Sequence, residues 1–82
     1  MFELTFTHLD TEREYNGVYE ELFGEKPPAN SYDPEWSHSL SAEVTGEELA
    51  RITFEVATCV PSVELWQMQI KVIEPNKPNK GE

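Results

Sequence analysis

Four side chains in this sequence have the types that metal or nucleophile chemistry needs: His8, Asp10, His38 and Cys59. Imidazole, carboxylate and thiolate bind zinc and related metals when three or four of them converge on one point. On an extended strand His8 and Asp10 project to the same side, and His38 could lie on a neighbouring strand. No spacing among the four matches a metal-ligand pattern, so the ordinary reading is two partly buried edge histidines with a satisfied ring nitrogen. Cys59 with His8 or His38 would make a thiol–imidazole pair, which needs a lowered thiol pKa and a base within hydrogen-bond reach. The sequence shows neither, and Cys59 stands between Thr58 and Val60 in an apolar stretch, where a small buried residue is expected. The adjacent carboxylates Glu20-Glu21 and Glu47-Glu48 could do acid–base work. Sixteen acids in 82 residues make such pairs expected by chance. Glycines stand singly at 17, 24, 46 and 81, which excludes a phosphate-cradling loop. No catalytic, cofactor-binding or metal site is assigned, and the expectation is a protein that is not an enzyme.

The acids themselves carry the strongest signal. Sixteen acids against six bases leave a net charge of −10, and the imbalance is concentrated. Between Asp10 and Ala50 there are eleven acids and only Arg13 and Lys26 to oppose them. The far end runs the other way, with Lys71, Lys77 and Lys80 against Glu74 and Glu82. Such a field repels nucleic acid and anionic membrane and attracts basic protein surfaces; the plainer alternative is that it only keeps a small protein soluble. One cysteine makes no intramolecular disulfide, and there is neither an apolar leader nor an apolar run near membrane length. A cytoplasmic location is expected. Nine aromatic residues and 38% hydrophobic content supply one modest core.

These residues must be positioned by elements the pattern reveals. Phe2, Leu4, Phe6 and His8 alternate with Glu3, Thr5 and Thr7, which predicts a strand. Thr11 and Glu14 have capping-box spacing, and Tyr15, Val18, Tyr19, Leu22 and Phe23 then share one helical face, ended by Gly24. Against a helix stands Asn16-Gly17, a hairpin signal, but the residues after it do not alternate as a return strand would. Residues 25–35, with three prolines, are a loop. Trp36, His38, Leu40, Ala42 and Val44 alternate as a second strand. Residues 44–56 fit both a strand and a helix. Thr45 and Glu48 form a capping box and Val44 and Leu49 a hydrophobic staple, so the prediction is a helix over 46–58. Trp66, Met68, Ile70 and Val72 then alternate in the longest strand signal, with apolar residues on the second face as well, which suggests a central strand. Residues 75–82 repeat Pro-Asn-Lys without an apolar residue and are expected to be a flexible tail.

The expected fold is a single α+β domain over residues 1–74, β-α-β-α-β, with a three-stranded sheet and two helices on one face. If both helix assignments failed, the same sequence would become an antiparallel β-meander. Three strands leave two edges through which a homodimer could form. On this fold Glu12, Glu14, Glu20, Glu21 and Glu25 would line the outside of the first helix. Tyr32, Asp33, Glu35 and Trp36 would follow on the loop, and Glu47 and Glu48 would open the second helix. Carboxylates mixed with exposed aromatics suit a basic protein partner, including a nuclease or another nucleic-acid-binding protein. Immunity proteins and the DNA mimics of bacterial viruses, small and acidic, act as inhibitors in this way, an analogy of size and charge alone. The alternatives are an accessory subunit that lends a sheet edge to a larger assembly, and a small metal- or thiol-dependent enzyme built on His8, His38 and Cys59.

Overall fold

The computed structural model describes residues 1–73. The predicted tail, 75–82, lies outside the described residues, as does Glu74. The elements are β1 (Phe2–Leu9), α1 (Glu12–Phe23), β2 (His38–Val44), α2 (Gly46–Cys59), a single 3-10 turn at Leu65–Gln67, and β3 (Met68–Val72). The sheet has three antiparallel strands in the order β2-β1-β3. This is the expected α+β arrangement with one correction: β1, not β3, is the central strand.

The pairing register explains the two faces. Phe2, Leu4 and Phe6 lie opposite Val44, Ala42 and Leu40 on one side and Val72, Ile70 and Met68 on the other. Directly opposed residues point to the same face, so these nine side chains form the apolar side. Glu3, Thr5, Ser41, Glu43, Gln69 and Lys71 form the polar side. Both helices pack on the apolar side: Tyr15 and Val18 of α1 and Ile52 and Val56 of α2 join Leu4, Phe6, Leu9, Val44 and Val60 in one buried cluster.

Each helix begins and ends where local chemistry dictates. The Thr11 hydroxyl accepts from the Glu14 amide, and Gly24 closes α1 in the left-handed conformation at φ 73°, where a side chain would be strained. α2 has the full reciprocal box: Glu48 N–H donates to the Thr45 hydroxyl at 3.1 Å, and Thr45 N–H donates to the Glu48 carboxylate at 2.9 Å. That exchange satisfies two of the orphan donors of the first turn. A strand over the same residues would gain neither bond, which decides the ambiguity of residues 44–56 for the helix.

Three strand predictions need correcting at their ends. His8 does not share the buried face with Phe6. A bulge sets three steps of β1, from Phe6 to Leu9, against two steps of β2, from Leu40 to His38; His8 adopts φ 57°, and Leu9 turns fully inward while His8 faces solvent. β2 starts at His38, leaving Trp36 exposed in a turn. Leu65 and Trp66 belong to the 3-10 turn, not to a long strand. The cause is Gln67, which is buried and carries its amide inward. Its Nε2 donates to the carbonyls of Thr7 and His8 at 3.2 and 3.0 Å, and its Oε1 accepts from Glu64 N–H at 2.8 Å. The bulge frees backbone carbonyls that would otherwise join the ladder, and one glutamine side chain satisfies them. Trp66 is displaced outward, beside the His8 ring and donating to Glu64.

Candidate functional site

The topology itself builds a concavity. β2 pairs antiparallel with β1 although a helix intervenes, so after α1 the chain must travel back along the helix before β2 can begin. Residues 24–37 make that return. They lie against one stripe of α1, Glu12, Asn16 and Glu20, spaced four residues apart and therefore in line along the helix. Between stripe and loop lies an open hollow of about 370 Å³, lined by those three residues and by Lys26, Pro27, Pro28, Ala29, Asn30, Ser31 and Tyr32. The helix wall thus carries two carboxylates and one amide, and the loop wall carries the Tyr32 ring, the Asn30 amide and the Lys26 ammonium. Pro27 and Pro28 limit the loop's freedom at low entropic cost.

The loop is anchored at its far end by an aromatic cluster. The Tyr32 ring packs against Tyr15 at 5.6 Å and His38 at 4.9 Å, and Tyr15 lies 4.9 Å from His38. The Tyr32 hydroxyl donates to the Asp10 carbonyl at 2.6 Å, and the Ser37 hydroxyl donates to the Asp10 carboxylate at 3.0 Å. Asp33 caps its own turn by accepting from Glu35 N–H, while His38 Nε2 sits 3.0 Å from the backbone of Asp33. The phenol of Tyr32 is held above its ordinary pKa, first by burial and then by the negative charges of Asp10, Glu12, Glu14 and Asp33. The shift registers four acids around one hydroxyl.

The eleven residues proposed from sequence separate into groups. Glu12, Glu20 and Tyr32 meet in the hollow. Glu20 also borders a second, shallower depression of about 260 Å³ with Glu21, Glu25, Gly24 and Lys26, so the acidic surface continues around the end of α1. Glu14 is half-buried beside the helix start, and Asp33 and Glu35 serve the turn before β2. Trp36 stays exposed and lines neither depression. Glu47 and Glu48 open α2, and Glu48 is committed to the capping box. Glu21 faces α2, 3.8 Å from Arg51, in the one ion pair among the described residues; Glu12 and Glu20 have no cation within ion-pair distance there, although Lys26 lines the same hollow. Asn16 and Lys26 were missed as site residues. The four-residue spacing of Glu12, Asn16 and Glu20 was readable; what hid it was the return path of the loop, which depends on strand pairing.

The residues considered for metal or thiol chemistry do not bring their ligand atoms together: Asp10 and His38 share the Tyr32 cluster without converging, and Cys59 is remote from both histidines. His8 is beside Trp66, His38 is beside Tyr15 and Tyr32, and Asp10 accepts from Ser37. Cys59 is exposed and donates to the Glu55 carboxylate at 3.7 Å, with no histidine in contact. Among the described residues, the set with converging ligand atoms is Glu21, Glu55 and Cys59, and each of these already has a neighbour: Arg51 for the first, one another for the rest.

No family model matches the chain, and neither the curated proteins nor the solved structures give a match. Among the described residues no helix is long and apolar enough to cross a membrane.

Proposed function

We propose that this protein is an acidic binding module that grips a basic protein surface, with cationic side chains of the partner entering the hollow between α1 and its return loop. The observation that carries this reading is the alignment of Glu12, Asn16 and Glu20 along one wall of the cavity, with Tyr32 at its end. A lysine or arginine there meets carboxylates for its charge, an amide for its remaining hydrogens and a ring for its stem or guanidinium plane. The wider acidic field raises the encounter rate, and the hollow gives a fixed point of attachment. A surface rich in lysine and arginine is also what nucleic acid binds, so the partner is a nuclease or another nucleic-acid-binding protein, and the carboxylates stand where phosphates would lie. The protein acts by occupation, as an inhibitor without chemistry of its own.

The test is capture from cell lysate on the immobilised protein at low salt and at about 0.5 M salt, where the screening length falls to a few ångströms. The expected result is a basic nucleic-acid-binding protein held at low salt, released at high salt and displaced by duplex nucleic acid. Glu12→Gln with Glu20→Gln weakens that capture on the order of tenfold, since exposed ion pairs contribute up to about 1 kcal/mol each. A salt-resistant partner indifferent to the double substitution contradicts the reading.

A further inference from the structure

The opposite edge of the sheet has a different character. β3 pairs with β1 on one side only, and its outer edge has no strand partner among the described residues. The helices cover β1 and β2 and stop short of β3. Ile70 and Val72, on the helix side of the sheet, are therefore 49% and 64% exposed. A groove of about 230 Å³ separates α2 from the start of β3, lined by Thr53, Ala57, Val63, Leu65 and Met68. Leu65, on the rim of that groove, is 81% exposed. An unpaired backbone edge beside a bare apolar strip fits another strand with an apolar face.

Charge and composition choose that strand. Residues 74–82, Glu-Pro-Asn-Lys-Pro-Asn-Lys-Gly-Glu, contain no apolar side chain to lay over Ile70 and Val72 apart from the prolines, which make poor ladder partners. From Leu65 to Ile73 there is no carboxylate and one base, Lys71, so this is a stretch along which a chain of charge −10 can approach itself. We infer that a second copy pairs with the first through β3, antiparallel and centred on Ile70. In that register Ile70 faces Ile70, Met68 faces Val72, and Lys71 faces Gln69, so no like charges are opposed. A slip of two residues in one direction would place Lys71 against Lys71, and in the other would centre on Gln69 and set Lys71 against Gln67, which already belongs to the 3-10 turn; both are disfavoured. The two-fold axis runs through the sheet, so the helices of both copies lie on one side and Leu65 of each stands near the seam. The hollow, beside α1 and the loop leading to β2, remains open at the two outer ends.

The test is the mass of the full chain by sedimentation equilibrium over a range of concentrations, at low and raised salt. The expected mass rises from the 9.4 kDa of one chain toward twice that value. The rise is stronger in salt, because screening relieves the repulsion of two acidic bodies; binding at the hollow has the opposite salt dependence. Ile70→Lys removes the concentration dependence, with circular dichroism as the check on folding. In a Cys59→Ser background, Ile70→Cys cross-links to itself under oxidation and Gln69→Cys does not, a result that stands even if Ile70→Lys fails to fold. A mass fixed at one chain under all conditions overturns the inference. So does a dimer that cross-links equally through both cysteines.

Discussion

At the scale of single residues, Gln67 does the most that the alternation of the sequence concealed. It looked like the wet side of a long strand, yet it is the one buried polar side chain among the described residues and bonds to three backbone groups. Gln67→Leu keeps the volume and strands the carbonyls of Thr7 and His8 and the N–H of Glu64. The expected loss is about 2 kcal/mol, seen as a lower urea midpoint with an unchanged slope. Thr45→Ala removes the hydroxyl that accepts from Glu48 N–H, while the backbone N–H of residue 45 still donates to the Glu48 carboxylate; the change is expected to cost about 1 kcal/mol, a fall of roughly 4–8 °C in Tm for a domain this small. Tyr32 gives a pH signature. Its folded pKa lies above the ordinary value of 10.0, so the folded state holds the phenol proton more tightly than the unfolded chain does. The stability linked to it is complete below the unfolded pKa and is lost as pH rises through the folded one. Tyr32→Phe is therefore expected to lose less stability than the wild type between neutral and strongly alkaline pH, measured by urea unfolding alongside tyrosinate absorbance.

At the scale of elements, the crossing of α1 and α2 explains a glycine that argued against a helix. A Cβ at Gly17 would come within 2.5 Å of Val60 Cγ2, so the position is empty because the end of α2 fills it. Gly17→Ala gains up to about 1 kcal/mol of helix propensity. It is expected to be net destabilising all the same, since overpacking a tight contact costs about 1–3 kcal/mol. Val60→Ala in the same chain should recover part of that loss, and the non-additivity of the double-mutant cycle measures the contact. This contact also marks what sequence could and could not reveal. Both helices were legible because Thr11, Gly24, Thr45 and Glu48 are local signals acting within four residues. The strand faces were legible from period-two alternation, except where the bulge at His8 inverted it. The order of the strands was not, because β1 reads as half-buried: on its polar face Glu3, Thr5 and Thr7 lie between two flanking strands without becoming apolar. Nor was the hollow, which exists because β2 returns to β1 and drags residues 24–37 along α1.

At the scale of the whole molecule, the two ends of the sheet have opposite surfaces. Toward β2 lie α1 and its return loop with seven acids between Glu12 and Glu35; along β3 lies an apolar strip with a single lysine. Salt is therefore expected to act oppositely on the two proposed contacts, weakening attachment at the hollow and strengthening self-pairing at β3. A partner is proposed to attach at the hollow and not through the diffuse negative field. An amide chemical-shift titration of the full chain with a short lysine- and arginine-rich peptide separates the two. The expected result is a set of shifts confined to Glu12, Asn16, Glu20 and the loop around Tyr32, absent in the Glu12→Gln, Glu20→Gln variant and abolished at about 0.5 M salt. Shifts of similar size at every exposed acid, including Glu43 and Glu47, or shifts that survive the double substitution, would contradict it.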